Sequence, residues 1–115
     1  CKGVGTITHA SSKTGRGVYV SSGTFNMYGG TITGNQTGTG NGGGLTLREG
    51  TQSTANIYGG TISDNISHGY GGGIYVNGST LNIQPDEGKV ISITRTRRLT
   101  AQLKGIKQVA AEACI

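Results

Sequence analysis

Apolar side chains in this chain fall at every second position in short runs, and the runs themselves recur. Gly17-Val18-Tyr19-Val20 returns as Gly44-Leu45-Thr46-Leu47 and Gly73-Ile74-Tyr75-Val76. Phe25-Asn26-Met27-Tyr28 returns as Ala55-Asn56-Ile57-Tyr58 and, in part, as Leu81-Asn82-Ile83. Gly29-Gly30-Thr31-Ile32-Thr33-Gly34-Asn35 returns as Gly59-Gly60-Thr61-Ile62-Ser63-Asp64-Asn65. Alternation of this kind sends successive side chains to opposite faces of a strand, so three short strands are predicted per repeat. Self-similarity at this period marks a solenoid.

Strands this short and this tightly bounded by Gly do not bury themselves in isolated hairpins. Coiling solves the problem, because each strand then pairs with its equivalent about 4.8 Å away in the next turn. The predicted fold is all-β, a right-handed parallel β-helix of about three turns, with the repeat region over residues 1–93. Val18/Val20, Leu45/Leu47 and Ile74/Val76 form one interior ladder, Phe25/Met27, Ala55/Ile57 and Leu81/Ile83 a second, and Ile7, Ile32 and Ile62 a third. Glycines at 29–30, 42–44, 59–60 and 71–73 are expected at corners, where positive φ or close backbone approach excludes a side chain, with Gly30 and Gly60 as structural turn residues. Asn35 and Asn65 are expected at corners too, because Asn tolerates the left-handed conformation and its amide can satisfy turn backbone along a ladder.

Residues 94–115 change character. Leu99, Leu103, Ile106, Val109 or Ala110, and Ala113 follow a helical period with Arg97, Arg98, Lys104 and Lys107 largely between them. The pattern predicts a basic amphipathic helix or non-repeat tail, and a helix laid over the last turn would cap its apolar cross-section. The formal charge of +5 is also uneven. Residues 1–83 hold four cations against Glu49 and Asp64, and residues 84–115 hold six against Asp86, Glu87 and Glu112.

Ile32-x-x-Asn35 followed by Gly42-Gly43-Gly44-Leu45, and Ile62-x-x-Asn65 followed by Gly71-Gly72-Gly73-Ile74, resemble motifs of bacterial β-helix surface proteins. The nearest families in this respect are polymorphic outer-membrane proteins and autotransporter passengers. The resemblance spans about residues 3–93. It implies a right-handed β-helix that is cell-surface or secreted, outer membrane-associated in a Gram-negative source, and used for adhesion.

The chemistry that other β-helices carry is thin here. Polysaccharide-cleaving members of the architecture gather several carboxylates on one face, whereas Glu49 and Asp64 fall in different parts of the turn and Asp86-Glu87 follow Pro85 in a connection. No enzyme activity and no cofactor are expected. His9 and His68 read as solvated loop residues without ligands at metal spacing, so no metal site is expected. Gly38-Thr39-Gly40-Asn41-Gly42-Gly43 fits GxGxxG, but no strand-to-helix unit follows. Asn-x-Ser/Thr triplets begin at Asn35, Asn65 and Asn77. Cys1 and Cys114 stand far from any ligand or disulfide spacing, and no apolar run is long enough to span a membrane. Beginning at Cys1, the chain is expected to be part of a longer one, with a processed, lipid-modified first residue as the alternative.

The outward residues carry what functional expectation there is. Thr31, Thr33, Thr61 and Ser63 should stack into a two-column hydroxyl array that resembles the Thr-x-Thr face of ice-binding β-solenoids. Ordinary sheet stability also favours stacked Thr. Asn26, Asn56 and Asn82 form a second ladder, with Tyr28 and Tyr58 beside it and Tyr19 and Tyr75 on another strand. Amides, hydroxyls and exposed rings suit glycans or a host surface as partners, and nucleic acid is not expected because the repeats carry no basic rows. The leading expectation is therefore a structural or adhesive segment, and the alternative is an ice-binding solenoid.

Overall fold

The computed structural model describes residues 5–9, 13–48, 50–94 and 108–109. Eleven strands follow in chain order: β1 (Thr6–Ile7), β2 (Val18–Val20), β3 (Thr24–Met27), β4 (Thr31–Thr33), β5 (Leu45–Leu47), β6 (Thr54–Ile57), β7 (Gly60–Ser63), β8 (Ile74–Val76), β9 (Thr80–Ile83), β10 (Ile91–Thr94) and β11 (Gln108–Val109). They form three sheets, β1-β4-β7-β10, β2-β5-β8 and β3-β6-β9-β11, and every pairing is parallel. From β1 to β10 successive strands visit the three sheets in rotation, so the fold is a parallel β-helix.

The register is the one the alternation predicts. Val18, Leu45 and Ile74 are paired in a column, as are Val20, Leu47 and Val76. Phe25, Ala55 and Leu81 stack beside Met27, Ile57 and Ile83. Ile7, Ile32, Ile62 and Ile93 complete the third ladder. From Val20 to Ile93 these side chains make one buried cluster, with Leu45, Leu47, Ala55, Val76 and Leu81 fully enclosed. Ile91-Ser92-Ile93-Thr94 has the same alternation and starts a further coil on the first sheet.

Two expectations change at the corners and the tail. Asn35 and Asn65 are not the left-handed residues. Positive φ belongs to the preceding Gly34 (φ 67) and Asp64 (φ 53), which turn the chain so that each Asn side chain enters the coil. Both Asn residues are fully buried. Of the segment expected to be helical, Gln108–Val109 instead forms strand β11 beside β9. The remainder of that segment after Thr94 lies outside the described residues, as does Glu49. No helix occurs among the described residues.

Gly30 (φ 85) and Gly60 (φ 104) take the turn positions expected of them. A Cβ on Gly60 would stand 2.7 Å from the Gly30 carbonyl oxygen, whereas one on Gly29 would meet nothing within 4 Å. Gly60→Ala is therefore expected to destabilise the fold by about 1–3 kcal/mol and Gly29→Ala by well under half of that, measured by chemical denaturation. Asn65→Ala leaves buried backbone groups unpaired and is expected to cost about 2 kcal/mol or more in the same experiment.

Candidate functional site

The second sheet contributes least to the surface. Leu45-Thr46-Leu47 and Ile74-Tyr75-Val76 are buried at every position, although the middle residue of each strand points away from the core. The Gly-rich connections cause this. Thr46 donates its hydroxyl to the Gly42 carbonyl oxygen at 3.1 Å, and a Cβ on Gly42 or Gly71 would stand against Thr46 or Tyr75. Backbone without side chains thus lies across the outer face of β5 and β8. Tyr75, expected as an exposed ring, is 7% exposed, whereas Tyr19 in the first coil is 51% exposed.

The other two sheets keep open outer faces. On the third, Asn26, Asn56 and Asn82 stand in register. The Asn56 Nδ2 donates to Asn26 Oδ1 at 2.8 Å, and the Asn82 Nδ2 donates to Asn56 Oδ1 at 2.7 Å. Tyr28 and Tyr58 end these rows with their rings stacked, centroids 5.0 Å apart and planes 12° from parallel. Offset stacking of this kind holds both rings at little rotamer cost to a ligand. Tyr58 covers one face of Tyr28, and Tyr28 remains 57% exposed.

On the first sheet Thr6, Thr31, Thr61 and Ser92 form one outward column, and Thr33 pairs with Ser63 in the next. The Ser63 hydroxyl donates to Thr33 Oγ1 at 3.2 Å. Thr31, Thr33, Thr61 and Ser63 are half-buried. The two open faces meet at the corner that holds Tyr28-Gly29-Gly30 and Tyr58-Gly59-Gly60, so all the outward candidates occupy adjoining surfaces.

A groove of about 1110 Å³ opens beside that corner. Asn26, Tyr28 and Thr31 are among its polar and aromatic lining, Phe25 and Ile7 among its apolar lining, and the Lys89–Asp86 pair forms a charged wall. Concave surfaces with an apolar base and a few placed polar groups are the usual form of small-ligand sites.

The Lys89 wall comes from a connection whose role the alternation does not disclose. In the earlier coils Tyr28 or Tyr58 passes directly into Gly-Gly, but residues 84–90 form a longer strap that climbs back along the corner. The Gln84 amide donates to the Ile57 carbonyl at 2.9 Å and the Asp86 amide to the Tyr58 carbonyl at 2.8 Å. The Lys89 Nζ then donates to the Tyr28 carbonyl at 2.7 Å, and it stands 3.9 Å from Asp86. Gly59 leaves room for this stem, since a Cβ there would lie 2.9 Å from Lys89 Cδ. The extra length before the next Ile-x-Ile run is the sequence signal for the strap.

The histidines are engaged more closely than solvated loop residues would be. His9 Nδ1 lies 2.6 Å from Asn35 Oδ1, and His68 Nδ1 bonds the Thr37 carbonyl. The acceptors fix both as Nδ1–H donors. Among the described residues no group of His, Cys, Asp and Glu could hold a metal ion.

Lys89→Met keeps the stem and removes the ammonium. Amide exchange at Lys89 is expected to accelerate severalfold while exchange at Val76 stays unchanged, and global stability should fall by less than about 1 kcal/mol because the group is half-exposed. The chain matches no protein-family model, no curated protein and no solved structure.

Proposed function

We propose that this chain is a stiff adhesive segment of a cell-surface or secreted β-helix protein, and that it binds glycans weakly through the Asn26-Asn56-Asn82 ladder and the Tyr28–Tyr58 stack. The observation that carries the reading is the juxtaposition of an in-register amide row, a stacked aromatic pair and a groove at one corner. Pyranose rings present C–H faces suited to Tyr and hydroxyls suited to amides. Continuous parallel pairing supplies the stiffness that holds such a surface away from its attachment. The contacts are shallow, so useful strength comes from several such segments acting together. Asp64 and Asp86 sit at different corners, which favours binding over paired-carboxylate chemistry.

Ice binding is the second reading, favoured by the column Thr6, Thr31, Thr61 and Ser92 and its neighbour Thr33 and Ser63. Regularly spaced hydroxyls on a rigid sheet are the feature it needs.

Titration of the purified chain against neutral oligosaccharides, followed by tyrosine fluorescence, tests the first reading. Tyr28→Ala combined with Asn26→Ala is expected to weaken binding about tenfold or more with the far-ultraviolet dichroism unchanged. Equal affinity of the double variant for every saccharide bound would remove the site. Thermal hysteresis that disappears in Thr31→Tyr with Thr61→Tyr would instead establish the ice-binding reading. Protease shaving of source cells separately tests the location: peptides from residues 14–83 should be released from the surface.

A further inference from the structure

The connection that opens the second sheet carries a different arrangement, on the side of the solenoid away from the strap. Arg16 sits in it between two residues whose amides are tied into the next coil. The Gly15 amide donates to the Gln36 carbonyl at 2.7 Å, and the Gly17 amide to the Gly43 carbonyl at 3.0 Å. The side chain is held as well. Its Nε donates to the Asn41 carbonyl at 2.9 Å, and its guanidinium carbon lies 5.1 Å from the centroid of the Tyr19 ring. A Cβ on Gly40 would come within 3.1 Å of a terminal guanidinium nitrogen, so glycine gives the group its space.

Four of the five guanidinium N–H donors have no partner among the described residues, and the one ion pair found there joins Lys89 to Asp86. An arginine side chain carries about 2 kcal/mol of rotamer entropy, and ordering it is one cost of recruiting it. Here the cost falls on the fold instead. Asn41 also fixes the backbone at Tyr70 in the next coil, because its Oδ1 accepts the Tyr70 main-chain amide at 2.8 Å. Tyr19 and Tyr70 are each 51% exposed. Lys13, exposed in the same connection, adds positive potential.

We propose that Arg16, with Tyr19 and Tyr70, forms a second binding site, which takes the carboxylate or sulfate group of an acidic saccharide. The planar fork accepts one oxyanion in a bidentate pair, and the tyrosines provide ring surface for the sugar that bears it. Nucleic acid fits less well. Its affinity rests on many phosphate contacts, whereas the positions stacked on Arg16 in the following coils are neutral glycine-rich backbone. The site is separate from the Tyr28 corner and does not depend on glycan binding there.

The test compares binding of the purified chain to sulfated dextran and to unmodified dextran of the same length by calorimetry. Arg16→Gln is the probe variant, and Arg48→Gln removes an equal charge from an exposed corner outside the site. Wild type and Arg48→Gln are expected to bind the sulfated polymer alike, and Arg16→Gln about tenfold more weakly. Matching thermal unfolding of the two variants confirms that the fold is kept. Equal losses in both variants, no loss in either, or no binding by wild type would each overturn the site. Tighter Arg16-dependent binding of single-stranded DNA than of sulfated dextran would reassign it and overturn the saccharide proposal.

Discussion

The buried amide of Asn65 is the contact on which the coil spacing depends. Its Oδ1 accepts from both the backbone amide and the Nδ2 of Asn35, each at 3.0 Å, while its own Nδ2 donates to the Ile32 carbonyl at 2.9 Å. Asn35 repeats the arrangement one coil earlier, where its Nδ2 reaches the Ile7 and Thr33 carbonyls. A turn drawn this far into an apolar interior would otherwise strand backbone polar groups away from water. The amides also dictate their neighbours. A Cβ on Gly17 would fall 2.7 Å from Asn35 Nδ2, and one on Gly44 would fall 2.7 Å from Asn65 Nδ2. The glycine that precedes β2, and the one that precedes β5, is thus the counterpart of an asparagine in the coil that follows.

Because these corners lock each coil to the next without slippage, whatever side chain a strand turns outward is placed above its equivalent. A ladder of amides, a pair of stacked rings and a column of hydroxyls all follow from one registration. A one-residue slip would reverse them with the core. The same locking closes the outer face of β5 and β8, since it seats the glycine-rich backbone across Thr46 and Tyr75. The faces of the first and third sheets, and the uncovered first coil of the second where Tyr19 stands, are left for partners.

The strands and the interior ladders were legible in the alternation, because period two leaves little freedom once coils stack. So were the outward rows of Asn and Thr. The corners were not. Asn35 and Asn65 could be assigned to turns from their position, but only the left-handed geometry at Gly34 and Asp64 shows that the amides point inward. Ser53 and Ser79 make a comparable buried pair, with the Ser53 amide donating to Ser79 Oγ at 3.2 Å, and no periodicity separates them from the exposed serines of the chain. Lys89 and Arg16 were legible only as charges. Their roles come from long-range contacts, Lys89 with Tyr28 and Arg16 with Asn41, that link different coils. The β11 pairing at Gln108–Val109 was hidden for a related reason, because Val109 also satisfies a helical spacing and sheet pairing is decided by what lies alongside.

The outward asparagines also have a direction. Each amide hands its proton toward the earlier coil, from Asn82 to Asn56 and from Asn56 to Asn26, so the carbonyl of Asn26 receives a bond already reinforced by the one behind it. Chains of this kind polarise cumulatively, by about 10–30% per bond in condensed phases. The inner pair runs the opposite way, from Asn35 toward Asn65. The terminal N–H of Asn26 is therefore a stronger donor than a solitary asparagine would offer, and lengthening the row by further coils would sharpen that one end without altering any residue there.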